Sequence, residues 1–303
     1  MHVLVTGASG WIGSAVVPEL LAAGHRVTGL ARSDASARAL TDAGADVLRG
    51  SLDDPDALRA GAAAADGVVH LAFKHDLAFN GQGQAAVDAD RAAVELLGDV
   101  LTGSDRPLVI AGGALGLATG RVATEDDGRE AEGHPEGMLA RQRTAHLTLA
   151  LAERGVRSVV LRLSPTVHAE GDNGFLPALV ATARRTGTAG YVDDGSARWP
   201  AVHRADAATL FRLAVERAPA GSVLHGVADE GVPTKAIAEA LGRALDLPVT
   251  SVPAADAEAH FGFLGPLLSL DSPTSSARSR ELVGWQPTHP TLLGDIDAGR
   301  YTR

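Results

Sequence analysis

The sequence predicts a doubly wound α/β fold: a parallel sheet covered by helices on both faces, with a smaller, discontinuous lobe towards the C-terminus. Three observations carry this. Short apolar runs alternate with amphipathic helical stretches through the first half of the chain. The runs are apolar throughout, as in strands buried on both faces. Glycines 24, 44 and 155 follow helical stretches, where a left-handed C-cap favours that residue. At 303 residues, 45% of them hydrophobic, the chain can build a sizeable core.

The elements read in order. "HVLVTG" (2–7) is a strand, and Trp11–Ala23 a helix that Pro18 should bend. "RVTGLAR" (26–32) and "ADVLRG" (45–50) are the next strands, with a helix at Pro55–Ala62 after them. "GVVHLAF" (67–73) leads to a helix at Ala85–Leu101, and "PLVIAGG" (107–113) to one at Met138–Arg154. In that last helix Leu139, Arg143, Leu147, Ala150 and Leu151 recur at helical spacing, ahead of the strand "RSVVLRL" (157–163). Loop-rich sequence follows. A helix at Ala205–Arg217, a strand at 222–228 and tail helices at Thr234–Leu245 and Ser275–Leu282 complete the reading. We therefore expect a first domain of 1–163 plus 198–228, and a lobe of 164–197 plus 229–303.

Composition narrows the function. A net charge of −10 with no basic stretch argues against nucleic acid and anionic membranes. The absence of cysteine excludes thiol chemistry and disulfides. No apolar stretch approaches a membrane span and the N-terminus lacks a signal pattern, so a cytoplasmic location is the expectation.

The chemistry begins at "VTGASGWIG" (5–13), where Gly7, Gly10 and Gly13 lie between a strand and a helix. That spacing suits a tight turn, close approach to a pyrophosphate, and close helix–strand packing. With Ser9, Trp11 and Ile12, these residues form a dinucleotide cradle of the Rossmann type. The second strand ends in Ala31–Arg32–Ser33, where an NAD site usually carries an acidic residue. Arg32 suits a 2′-phosphate, with Ser33 beside it, so the expected cofactor is NADP(H). A solvated surface arginine is the plain alternative. Asp34 complicates the reading, although it lies beyond the strand end.

Together these residues resemble the short-chain dehydrogenase/reductases, in the extended and atypical branch that is epimerase/dehydratase-like. "TGASGWIG" resembles that family's TGxxGxxG fingerprint. "GSLDD" (50–54) resembles its adenine-lining segment, and "VVHLAF" (68–73) its fourth-strand end. "LRLSPTVHAEGD" (161–172), "RWPAVHRADAATLF" (198–211) and "LVGWQPTHP" (282–290) resemble later family segments in order. The resemblance implies a Rossmann sheet, with Ser51, Leu52, Leu71, Ala72, Phe73 and Pro165 along the cofactor. It also implies a Tyr-x-x-x-Lys proton relay supported by Ser or Thr. The only tyrosines are Tyr191 and Tyr301 and the only lysines Lys74 and Lys235, so no such motif exists. Met138, Gln142 and Gly112 or Gly113 fall near the three positions instead.

Replacement acid–base candidates are His75, just beyond the fourth strand, and His168, after the sixth. A structural hydrogen bond competes with either role. Lys74 offers positive charge, while Arg198 and His203 are candidate substrate contacts. Asp206 reads as a helix N-cap, Trp199 as packing, and Tyr191 as remote from the reaction. The acidic run 124–132 reads as a solvated loop, and no metal site is expected. The leading expectation is an NADP(H)-dependent oxidoreductase acting on a carbonyl or hydroxyl of a small to medium organic molecule. An NADP(H) sensor without turnover, or a non-redox isomerase or cyclase that keeps the cofactor, are the alternatives. A homodimer through Ala85–Leu101 and Met138–Arg154 is also expected.

Overall fold

The computed structural model describes residues 1–118, 120–128 and 140–302. Seven parallel strands form the main sheet: β1 (His2–Thr6), β2 (Arg26–Ala31), β3 (Asp46–Arg49), β4 (Gly67–His70), β5 (Pro107–Gly113), β6 (Arg157–Leu163) and β10 (Ser222–Gly226). Their spatial order is β10-β6-β5-β4-β1-β2-β3, so the winding reverses between β1 and β4. The six expected strands and the returning seventh are all present, with β4 three residues shorter than the apolar run.

Strand periodicity explains why the runs are uniformly apolar. In β1, Val3 and Val5 enter one core and Leu4 the opposite one. Likewise Val69, Val109, Val159 and Leu161 join the first core, while Val68, Leu108, Ile110 and Val160 join the second. Neither face meets water, so neither needs a polar residue. The first face is covered by α1 (Gly13–Ala22), α2 (Asp34–Asp42) and α8 (Arg204–Arg217). The second is covered by α3 (Pro55–Ala64), α5 (Gly83–Leu101) and α6 (Ala140–Ala150). A short helix, α4 (His75–Phe79), precedes α5. Gly24, Gly44 and Gly155 all have positive φ at helix ends, as their sequence position predicts.

The lobe has its own core around Leu176, Trp199, Ile237, Leu241 and Phe261. It contains a three-stranded sheet of β7 (Thr166–His168), β9 (Arg198–His203) and β11 (Asp229–Pro233), and a pair made by β8 (Ala189–Val192) and β12 (Val249–Val252). Around them lie α7 (Phe175–Thr186), α9 (Thr234–Leu245), α10 (Ala257–Phe261), α11 (Leu264–Leu268) and α13 (Leu292–Asp297), whereas α12 (Ala277–Val283) packs on β10 and α8 and sends Val283 into the first core. Among the described residues, no helix is long and apolar enough to cross a membrane.

Helix α1 keeps Pro18 within its length, as the sequence reading expects. Three local readings change. Residues 198–203, grouped by sequence with the first domain, pair in the small sheet. His203, not Asp206, is the N-cap of α8: its Nδ1 accepts from the Ala205 N–H at 3.2 Å. Asp206 instead accepts from the Thr288 and His289 N–H groups at 3.0 and 3.1 Å, tying the tail to α8. Finally, the run 124–132 is not uniformly solvated. Glu125 is buried and accepts from the Ser279 amide and hydroxyl at 2.8 and 2.5 Å. Residues 129–132 of that run, and Met138, lie outside the described residues.

Candidate active site

Because the sheet is parallel, every strand delivers its C-terminal end to one edge. Gly7 follows β1, Arg32 and Ser33 follow β2, and Ser51 and Leu52 follow β3. Leu71, Ala72 and Phe73 follow β4, and Pro165 follows β6. The structure thus gathers the predicted cofactor residues along one rim, at the crevice where the winding reverses.

The turn has no room for a side chain at Gly7 or Gly13, and little at Gly10. Gly7 has φ +64°, and a Cβ there would lie 2.6 Å from the Ala72 nitrogen. At Gly13 it would lie 2.2 Å from the Gly7 oxygen, and at Gly10 3.1 Å from the same atom. The Gly10 N–H donates to that oxygen at 2.9 Å, closing the turn. The amides of Trp11 and Ile12 find no acceptor among the described residues, at the positive end of a ten-residue helix. Unused N–H groups there fit a diphosphate. Ser9 is exposed on the turn. The Trp11 indole donates to the Val167 carbonyl at 2.9 Å and lies under the Arg204 guanidinium, binding the turn to β7 and α8.

At the end of β2, Arg32 and Ser33 are exposed, and the Ser33 hydroxyl accepts from the Ser36 N–H as the cap of α2. Asp34 is held by Arg49 at 2.6 Å. Ser51 accepts from the Asp53 N–H, and Leu52 packs on the cluster of Leu30, Leu58 and Ala93. Lys74 grips both oxygens of Asp53 at 2.6 and 2.7 Å, an ion pair across the rim. Leu71 and Ala72 donate their N–H groups to Thr6.

His75 lies edge-on to the Phe73 ring, centroids 5.1 Å apart. Burial, then the Arg141 charge, lowers its pKa below the usual histidine value, so the ring is neutral at pH 7. His168 is placed differently from its sequence reading. It is fully buried at the end of β7, with Nδ1 2.7 Å from Asp295 Oδ2 of α13. That position serves the joint between sheet and tail, not an exposed acid–base role. Arg198 is committed to a two-point bond with Asp271 at 2.9 and 2.8 Å. His203 is committed to capping, and burial lowers its pKa.

Neither tyrosine supplies the missing relay. Tyr301 is buried, within 3.2 Å of Asp172, and burial with that carboxylate raises its pKa far above normal. Tyr191 lies beneath Lys235 in the lobe, and Trp199 is buried packing whose indole donates to Leu267. His203, Asp206 and His289 bring ligand atoms within 4.8 Å of one another. Those atoms are already engaged, however: Asp206 holds the two amides above and His289 Nδ1 at 2.8 Å. Sequence reasoning missed His70, Asp90 and Arg141, three polar residues behind the rim. The signal was present in part, because Asp90 interrupts the apolar stripe of Ala86, Val87, Ala93, Val94 and Leu97.

Comparison with known proteins agrees with this geometry. Residues 3–225 match the NAD dependent epimerase/dehydratase family. The chain is 44% identical over 302 residues to "Uncharacterized protein C2A9.02" of Schizosaccharomyces pombe, covering 99% of this chain and 100% of that one. It is 30% identical over 237 residues to a 4-hydroxy-2-methyl-3-oxo-4-farnesyl-3,4-dihydroquinoline-1-oxide ketoreductase of Stigmatella aurantiaca, covering 74% and 67%. Among solved structures, MoeE5 in complex with UDP-glucuronic acid and NAD superposes with TM-score 0.76 at 20% identity, over 99% and 98% of the chains. The chain belongs to the NAD-dependent epimerase/dehydratase family, and a nicotinamide dinucleotide is the cofactor class its rim fits.

Proposed function

We propose that the protein is an NADP(H)-dependent oxidoreductase of the atypical short-chain dehydrogenase/reductase type, acting on a carbonyl or hydroxyl of a small to medium organic substrate. The end of β2 carries the cofactor choice. Arg32 is exposed there, and the nearby carboxylate of Asp34 is occupied by Arg49. A guanidinium without a competing acid suits a 2′-phosphate better than a bare ribose hydroxyl. The relative named as a ketoreductase supports carbonyl chemistry.

When bound, the nicotinamide ring supplies hydride transfer. The chain's own residues do the rest. The Trp11 and Ile12 amides hold the diphosphate, Leu52 backs the adenine, and Arg32 with Ser33 holds the 2′-phosphate. His75, neutral beside the rim, is placed to take a proton from a hydroxyl or return one to it.

Titration of the purified protein is expected to show tighter binding of NADPH than of NADH. Arg32→Ala should weaken NADPH about tenfold or more and leave NADH unchanged, from the loss of hydrogen bonds to a charged group worth about 1.5–3 kcal/mol each. Equal affinity of the unaltered protein for the two cofactors would refute the NADP(H) assignment. Stereospecific deuterium transfer from labelled NADPH to a ketone would establish the reaction class.

A further inference from the structure

Behind the rim runs a buried polar chain that the reading above does not use. The Thr6 hydroxyl accepts from the Ala72 N–H at 3.3 Å and lies 2.8 Å from His70 Nδ1. His70 Nε2 in turn lies 3.3 Å from Asp90 Oδ1. A lone pair facing that carboxylate would be repelled, so Nε2 carries the proton and the Thr6 hydroxyl donates to Nδ1. His70 and Asp90 are 2% and 3% exposed. The chain ends at Arg141, whose Nε lies 3.8 Å from Asp90 Oδ2.

Arg141 is fixed from three directions. Asp90 approaches from α5, the Ala111 carbonyl of β5 accepts from Nη2 at 3.0 Å, and the Phe73 ring lies 4.3 Å beneath the guanidinium. Its Nε is sealed from solvent and has no hydrogen-bond acceptor among the described residues. Nη1 has no partner among the described residues either, and 28% of the side chain remains accessible. Donor capacity is therefore left over on a cation held at the β4–β5 rim. Its charge is already offset by Asp90. A second full anion would meet that carboxylate's repulsion, whereas an uncharged oxygen would not.

We propose that Arg141 is the oxygen-binding residue of this site: it donates to an uncharged carbonyl or hydroxyl oxygen of the ligand lying on the β4–β5 rim, and Thr6, His70 and Asp90 position it. This rests on the dinucleotide reading above. The oxygen comes either from the nicotinamide half of the cofactor or from the substrate carbonyl.

Calorimetry with three probes separates these sources: NADP⁺, 2′-phospho-ADP-ribose (which lacks the nicotinamide), and cyclohexanone added to NADP⁺-saturated protein. If the oxygen is the cofactor's, Arg141→Met weakens NADP⁺ about tenfold or more and leaves 2′-phospho-ADP-ribose unchanged. If it is the substrate's, both nucleotides bind normally and the cyclohexanone signal of the unaltered protein disappears. Asp90→Asn, similar in shape, should give a smaller loss of the same ligand. Should Arg141→Met not fold, Arg141→Lys carries the comparison, since it keeps the charge and loses the planar fork. Unchanged binding of both nucleotides without loss of a cyclohexanone signal, or equal weakening of both nucleotides, overturns the assignment. Failure of the unaltered protein to bind either nucleotide overturns the dinucleotide reading, and this assignment with it.

Discussion

An alanine at position 13 is expected to remove measurable dinucleotide binding and to lower stability by about 3 kcal/mol, the upper end of over-packing costs. The added carbon would sit 2.2 Å from the Gly7 oxygen, 2.7 Å from the Ala8 Cα and 2.8 Å from the Ala8 carbonyl carbon. All three are backbone atoms, so no side chain can rotate away to relieve the contact. Either α1 lifts from β1 or the turn opens. Both move the Trp11 and Ile12 amides that the diphosphate needs. Gly83→Ala is the control, because a Cβ there meets nothing within 4 Å. Urea unfolding together with NADPH fluorescence titration reads both effects. A Gly13→Ala protein with an unchanged midpoint and unchanged affinity would show that the glycine spacing is incidental.

What the sequence reveals and what it conceals divide along sequence separation. The strand runs, the C-cap glycines and the cradle at 5–13 are local patterns, and their causes lie within a few residues of one another. Periodicity exposes them because the backbone enforces it. The joints between distant segments leave no local trace. Nothing near His168 announces Asp295, 127 residues later, nor does anything near Glu125 announce Ser279, 154 residues later. The small sheet is concealed for another reason: β7 has three residues, too few to show alternation. The reading of 124–132 as a solvated loop failed at Glu125 because composition cannot say which carboxylate finds a buried donor. Asp90 was the exception, visible as a charge in an apolar stripe yet without an evident partner until α6 brings Arg141 to it.

Lowering the pH from 6.5 to 4 is expected to remove about 3 kcal/mol of stability through His225 alone. This residue of β10 is fully buried, with Nδ1 2.8 Å from the Ser275 carbonyl and Nε2 3.4 Å from Arg162. Those neighbours require the neutral ring with its proton on Nδ1. Burial is the main cause that pushes its pKa down to about 4, and Arg162 adds to the shift against the opposing Ser275 carbonyl, Glu125 and Asp127. The unfolded chain takes up a proton near the ordinary value of about 6.5, and the folded chain does not until pH 4. Between those values the unfolded state binds more protons, so stability falls as pH falls, is flat above about 7, and levels off below 4. His75, His203 and His260 are lowered in the same sense and add smaller slopes. Urea midpoints measured from pH 7.5 to 4 should show this loss, and His225→Gln should remove most of it, because glutamine can still donate to Ser275 and accept from Arg162. Since Arg162, which faces His225 Nε2, also donates to the Asp127 and Gly128 carbonyls, protonation of the ring acts on the loop that leads from β5 towards α6. Acid should therefore weaken nucleotide binding at the rim before global unfolding, and a binding loss that merely tracks unfolding would separate this joint from the site.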